Sequence, residues 1–271
     1  MRLGLIGCGS IGSAVVKAIA SGSLPGLELV GATDLAGIDR AAKLTAAAHC
    51  PFFADLSALL DMKPDLVLEA ASADAVRAHA AAILECGADL MMVSVGALAD
   101  AEFCGRLMDQ AKREGRRIYV PSGAIGGLDI IKAAVFGGLE ECTLTTTKPP
   151  RALADAPYVI ERGIDLNAIR EATVIFEGSA RQAARFFPQN LNVAAAVSLA
   201  GVGMDKTTVR IIADPAATRN VHEVFVRGEF GEATIRLVNQ PSLDNPKSSR
   251  LASLSVIATL QRITQQFQLG T

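Results

Sequence analysis

Five short, predominantly apolar runs punctuate the first 120 residues: Leu3–Ile6, Leu27–Ala32, Leu66–Ala70, Leu90–Val95 and Ile118–Val120. None shows strict alternation, which is the pattern of strands covered on both faces. Helix-like stretches separate them. Residues Asp74–Cys86 open on an Asp able to cap and stop before Gly87, and Asp100–Glu114 stop before Gly115. Repeated strand–helix units of this kind predict an α/β fold, a Rossmann-type doubly wound parallel sheet.

Past residue 122 the pattern changes. Glu141–Thr147, Thr173–Gly178, Thr207–Ala213, Val221–Gly228 and Ala233–Val238 read as strands rich in Thr, Val and Ile, the last two close enough to form a hairpin. Helical stretches near Ala180–Phe187 and Leu191–Val202 interrupt them, so an α+β second domain is expected. In the tail, Asn245 can cap a helix with Pro246 in its first position. Leu251, Leu254, Ile257, Leu260 and Ile263 follow at intervals of three and predict an apolar face. The expected division is a dinucleotide-binding domain over 1–121, a catalytic and oligomerisation domain over 122–244, and a terminal helix within 245–271.

Composition narrows the function classes. At roughly 150 residues per domain, 271 residues suit two domains. Half the chain is apolar and a fifth is charged, enough to bury a large core. Lys plus Arg number 26 against 28 for Asp plus Glu, and Trp is absent, which argues against a nucleic-acid binder. No long charge-free apolar stretch predicts a membrane span, and no signal segment is expected ahead of the first strand. The five Cys include no C-x-x-C pair, so no metal site is expected and a reducing cytoplasm fits best.

Gly7-Cys8-Gly9-Ser10-Ile11-Gly12 is a G-x-G-x-x-G, informative here because it follows a strand and opens a helix. Gly7 permits the turn, Gly9 lets the backbone approach a pyrophosphate, and Gly12 allows the helix to lie close on the strand. Ser10 and Ile11 sit where helix N–H groups meet phosphate. Asp34, 22 residues after Gly12, ends the second run, where a carboxylate binds ribose hydroxyls and repels a 2′-phosphate. NAD is therefore the expected cofactor, with NADP kept open by nearby Arg40.

Of the three histidines, His79 reads as a surface or half-buried helix residue and His49 as structural. His222, entering a strand of the second domain, is either a proton-transfer group or a structural strand histidine. The loop Pro121–Gly127 follows the last nucleotide-domain strand, well placed to face a cofactor. Lys148 ends a strand, Asn190 either caps a helix or binds a ligand, and residues 245–250 combine a helix start with two cations.

These segments together resemble the L-aspartate dehydrogenase family over almost the whole chain. The glycine loop discriminates little. Ser122–Asp129 (SGAIGGLD), Phe187–Asn192 (FPQNLN) and Asn245–Arg250 (NPKSSR) are far more specific. The resemblance implies a Rossmann domain joined to an α+β catalytic domain whose sheet supports a homodimer, with the terminal helix packed on the nucleotide domain. It implies His222 as the catalytic residue and Ala124 and Asn190 as contacts to the nicotinamide nucleotide. The reaction implied is NAD(P)-dependent oxidation of L-aspartate to iminoaspartate, which hydrolyses to oxaloacetate and ammonia or enters pyridine nucleotide biosynthesis. A dicarboxylate substrate needs cations and donors, for which Lys148, Lys247 and Ser248 are the expected groups. Alternatives are another two-domain NAD(P)-dependent dehydrogenase of a dicarboxylate or amino acid, and a nucleotide sensor without turnover.

Overall fold

The computed structural model describes residues 1–34, 38–242, 245 and 248–270, without the side chains of Arg40, Ala47 and Gln189. The chain forms two compact units, Met1–Gly123 with Ala252–Gln268, and Ala124–Leu251.

In the first unit, strands β1 (Arg2–Ile6), β2 (Glu28–Thr33), β3 (Phe52–Phe53), β4 (Leu66–Glu69), β5 (Asp89–Met92) and β6 (Ile118–Tyr119) alternate with helices. These are α1 (Ser10–Ala20), α2 (Ile38–Ala47), α3 (Leu56–Leu60), α4 (Ala73–Glu85) and α5 (Ala101–Glu114). The strands form one sheet in the order β3-β2-β1-β4-β5-β6, every neighbouring pair parallel. This is the doubly wound order of dinucleotide-binding folds. The apolar runs feed two cores because successive side chains point to opposite faces. Leu3, Leu5, Leu66, Leu68 and Met91 pack with Val15 and Val16 of α1. Val67, Leu90 and Met92 pack on the other face with Ile83, Leu84 and Leu107.

Helix ends follow local chemistry, with two departures from the sequence reading. Asp100 caps α5 through Glu102 N and Phe103 N, and Gly115 ends it in the left-handed region. The cap of α4 is Ser72, whose hydroxyl accepts from Ala75 N, and not Asp74. The latter lies in the first turn and pairs with Arg77. The terminal helix α10 (Arg250–Thr264) starts five residues after Asn245, whose side chain instead donates to Ser248 Oγ at 3.0 Å. Ser249 Oγ accepts from Leu251 N at the helix start. The buried stripe of α10 is Ser253, Val256 and Leu260, flanked by Ile257 and Ile263, while Leu254 stays 48% exposed. Steps of three residues slip about 60° around a helix each time, so the every-third series cannot share one face. Val256 and Leu260 join the core of Leu3 and Leu5.

The second unit holds β7 (Leu139–Lys148), β8 (Thr173–Ser179), β9 (Thr208–Ala213), β10 (Val221–Gly228) and β11 (Gly231–Val238). Its helices are α6 (Leu128–Phe136), α7 (Pro157–Arg162), α8 (Ala180–Phe186) and α9 (Leu191–Ala200). The sheet order is β11-β10-β7-β9-β8, antiparallel except for the parallel β7–β9 pair. One face buries Leu144, Thr146, Val209, Ile211, Val224 and Val226. The opposite face is rich in Thr and carries exposed Arg210–Glu177 and Arg227–Glu141 ion pairs at 2.7 and 2.9 Å. A cavity of about 440 Å³ opens on that face, between Thr145, Thr147, Ile212, Arg219, Glu223 and Arg236.

Candidate active site

The glycine loop of the first unit is built for close approach. Gly7 takes φ +94° and donates its N–H to Thr33 O at 2.8 Å. A Cβ there would stand 2.6 Å from Ala70 O, and one on Gly12 would stand 2.1 Å from Gly7 O. Above Gly9 there is nothing within 4 Å, which leaves open space where a diphosphate would meet the backbone. Ser10 is the first residue of α1, and no acid lies in the first turn to repel an anion. Ile11 is half-buried against the core, so what it can offer a phosphate is its backbone N–H. Asp34, just past β2, is buried, and its Oδ2 accepts from Cys8 N at 2.8 Å. That bond sets the Asp34 carboxylate against the glycine loop itself. These residues fit a dinucleotide.

In the second unit, register brings the candidate chemistry onto one sheet face. His222 on β10 lies opposite Thr146 on β7, and Lys148 follows two residues along β7 on the same side. His222 is 5% exposed and Lys148 6%. Nδ1 of His222 and Oγ1 of Thr146 are hydrogen-bonded at 3.0 Å. Burial, reinforced by the Lys148 charge, pushes His222 down to about 4, so its imidazole is neutral near neutral pH. Burial alone pushes Lys148 down to about 8. The influence runs one way because His222 has lost its proton long before Lys148 begins to titrate.

Asn190 ends the turn Pro188–Asn190 ahead of α9 and does not cap that helix with its side chain. It is 4% exposed, and its Nδ2 has no hydrogen-bond partner among the described residues. A buried amide donor without an acceptor costs about 1–3 kcal/mol, which a ligand oxygen would offset. Lys148 and Asn190 line the same small cavity, of about 30 Å³, with Leu153, Asp155 and Phe187. Edge-to-face rings hold this wall in place: Tyr158 lies 5.2 Å from both Phe176 and Phe186, and Phe187 lies 5.2 Å from Phe176.

Ala124 takes part through its backbone. Its carbonyl accepts from Asn239 Nδ2 at 3.1 Å, and Asn239 Oδ1 in turn accepts from Ser249 Oγ at 2.9 Å. Ser248 does not line the cavity of Lys148, and its hydroxyl is engaged by Asn245. Lys247 lies outside the described residues. His49 is exposed with φ +53°, and His79 is half-buried in α4. Sequence reasoning missed Asn239 and the bond of Thr146 to His222. Both residues bond partners more than 70 residues away in the chain, and nothing local marks those bonds. Among the described residues, no group of three His, Cys, Asp or Glu could hold a metal, and no helix is long and apolar enough to cross a membrane.

Comparison with known proteins decides the family. The model described as "Aspartate dehydrogenase, C-terminal" matches residues 129–263. The model described as "Homoserine dehydrogenase, NAD binding domain" matches residues 7–121. L-aspartate dehydrogenase of Methanosarcina mazei is 43% identical, covering 100% of both chains. The chain belongs to the L-aspartate dehydrogenase family. The Cupriavidus necator L-aspartate dehydrogenase is 42% identical over 96% of each chain. The crystal structure of aspartate dehydrogenase from Thermotoga maritima superposes with a TM-score of 0.76 at 28% identity, covering 100% of this chain and 99% of that one. As a member of the L-aspartate dehydrogenase family, the chain is an oxidoreductase with an NAD(P)-binding domain.

Proposed function

We propose that the chain oxidises L-aspartate to iminoaspartate with NAD(P), using His222 for the proton and Lys148 for a substrate carboxylate. The observation that carries this reading is a buried Lys and a buried His side by side on one sheet face, with no ion pair to the Lys among the described residues. A buried ammonium without a counter-ion is costly, and an anionic substrate supplies one. The amino-acid nitrogen must give up a proton as its lone pair forms the imine. If Nδ1–H of His222 donates to Thr146, Nε2 is left with the lone pair to receive that proton, directly or through a water. An incoming carboxylate offsets the Lys148 charge, the smaller of the two causes that hold His222 low, and so favours its protonated form. NAD(P), when bound, supplies the hydride acceptor.

Asn190, with its unmet Nδ2, and the Ala124 backbone are assigned to the nicotinamide nucleotide. Asp34 favours NAD over NADP because its carboxylate repels a 2′-phosphate. Lys247 and Ser248 are kept as secondary substrate contacts. The open Thr-rich face of the second sheet supports a homodimer, and a single-chain mass by light scattering would count against it. All five cysteines are free thiols, in keeping with a cytoplasmic enzyme.

The test is reduced-cofactor formation with L-aspartate against D-aspartate, L-glutamate and L-malate. Turnover with L-aspartate alone is expected. Cofactor binding without turnover on any of the four would leave the fold intact and remove the substrate assignment.

A further inference from the structure

Glu69 ends β4 in the middle of the nucleotide sheet, 1% exposed, and the chemistry above does not use it. Its carboxylate accepts three hydrogen bonds from two separate chain segments. Oε1 accepts from Ala71 N and from Ser94 Oγ, each at 2.8 Å, and Oε2 accepts from Ser94 N at 3.1 Å. Ala71 lies in the exit from β4. Ser94 lies in the exit from β5, where it opens the buried turn Val95–Ala99. In parallel α/β sheets these strand exits form the edge at which dinucleotides bind.

The glycine loop rests on the same carboxylate through one intervening peptide. A Cβ on Gly7 would meet Ala70 O at 2.6 Å and Ala71 N at 2.9 Å, so the loop lies directly against the peptide that Glu69 holds. Three consecutive crossings of the cofactor edge, after β1, β4 and β5, therefore take their relative positions from one side chain. Burial pushes the Glu69 carboxyl above its ordinary range, and these hydrogen bonds offset only part of that rise. Its three partners here, Ala71 N, Ser94 N and Ser94 Oγ, all donate to it. An ionised carboxylate satisfies them, whereas a neutral amide would turn its own NH₂ towards one of them.

We propose that Glu69 is a positioning residue for the dinucleotide, setting cofactor affinity through the three loops it ties together without touching the reacting atoms. The inference rests on the nucleotide reading of the glycine loop. It is tested by titrating NADH fluorescence and by steady-state kinetics on the full-length wild type, Glu69→Gln and Ser94→Ala. Glu69→Gln is expected to weaken NADH binding about tenfold and to raise the cofactor KM in parallel. Its kcat at saturating cofactor, and its KM for L-aspartate, should stay within about twofold of wild type. Ser94→Ala removes one donor and keeps the backbone N–H, so a smaller loss of about threefold is expected. Wild-type affinity in Glu69→Gln, or a fall in kcat with affinity unchanged, overturns the proposal. If Glu69→Gln does not fold, Ser94→Ala decides: weakened binding supports the proposal and wild-type affinity overturns it. A wild-type chain that fails to bind NADH overturns the nucleotide reading and this proposal together, a result distinct from a failure confined to the variants.

Discussion

Two basic side chains buried on one sheet face make pH a direct probe of the second unit. The folded pKa of His222, about 4, lies below its ordinary value of 6.5. Between those values the unfolded chain binds a proton that the folded chain refuses, so stability rises with pH across the window and is lost on acidification. Denaturant unfolding from pH 4 to 6.5 should show that slope, worth roughly 3 kcal/mol in total. His222→Asn should flatten it. The same variant should lower kcat by about 10²–10⁴-fold, the usual contribution of a positioned proton acceptor, while NADH affinity stays within about twofold. Unchanged kcat would make His222 structural. For Lys148→Met, loss of one charge-assisted contact of about 1.5–3 kcal/mol should raise the KM for L-aspartate about tenfold to a hundredfold. Unchanged KM would remove Lys148 from the substrate. His222, Lys148 and Asn190 were legible as chemistry-bearing residues at strand and helix ends. What was not legible was their environment. That His222 meets Thr146, and that Asn190 keeps an unmet donor instead of capping, depends on pairing and packing across distant segments.

Local grammar specified most elements of the first unit. The glycine turn and the Gly115 stop are short-range signals, and both are where the pattern places them. Signals failed where several residues competed for one role. Ser72 and Asp74 can both cap, and the one in extended backbone ahead of the first turn does so. Helices α2, α3, α6 and α7 did not stand out, although Asp55 caps α3 and α7 runs from Pro157 to a left-handed Gly163. In α10 the every-third apolar series pointed to a face that the helix does not bury. Two truncations separate these readings. Leu260→Ala, at a fully buried position, should cost about 2–5 kcal/mol. Leu254→Ala, 48% exposed, should stay within about 0.5 kcal/mol. Equal losses would contradict the buried stripe.

For the whole molecule, strand–helix alternation was enough to predict the doubly wound sheet and its nucleotide edge, because each parallel crossover is a local unit with a fixed hand. The second sheet was legible as a set of strands and as one hairpin. Its order was not, because a parallel β7–β9 pair inside an otherwise antiparallel sheet joins segments about 65 residues apart. That order is what sets Lys148 beside His222. The same division runs through the function. The first unit carries a dinucleotide motif shared by many oxidoreductases, and the second carries the groups proposed to take an anionic amino acid. The claim joining them is that hydrogen leaves Cα of L-aspartate as hydride. The most direct measurement is mass spectrometry of the reduced cofactor formed from L-aspartate deuterated at Cα. Deuterium in the nicotinamide ring, with slower turnover than for the protonated substrate, is the predicted result. Reduced cofactor without deuterium, or no reduction at all, would contradict the account.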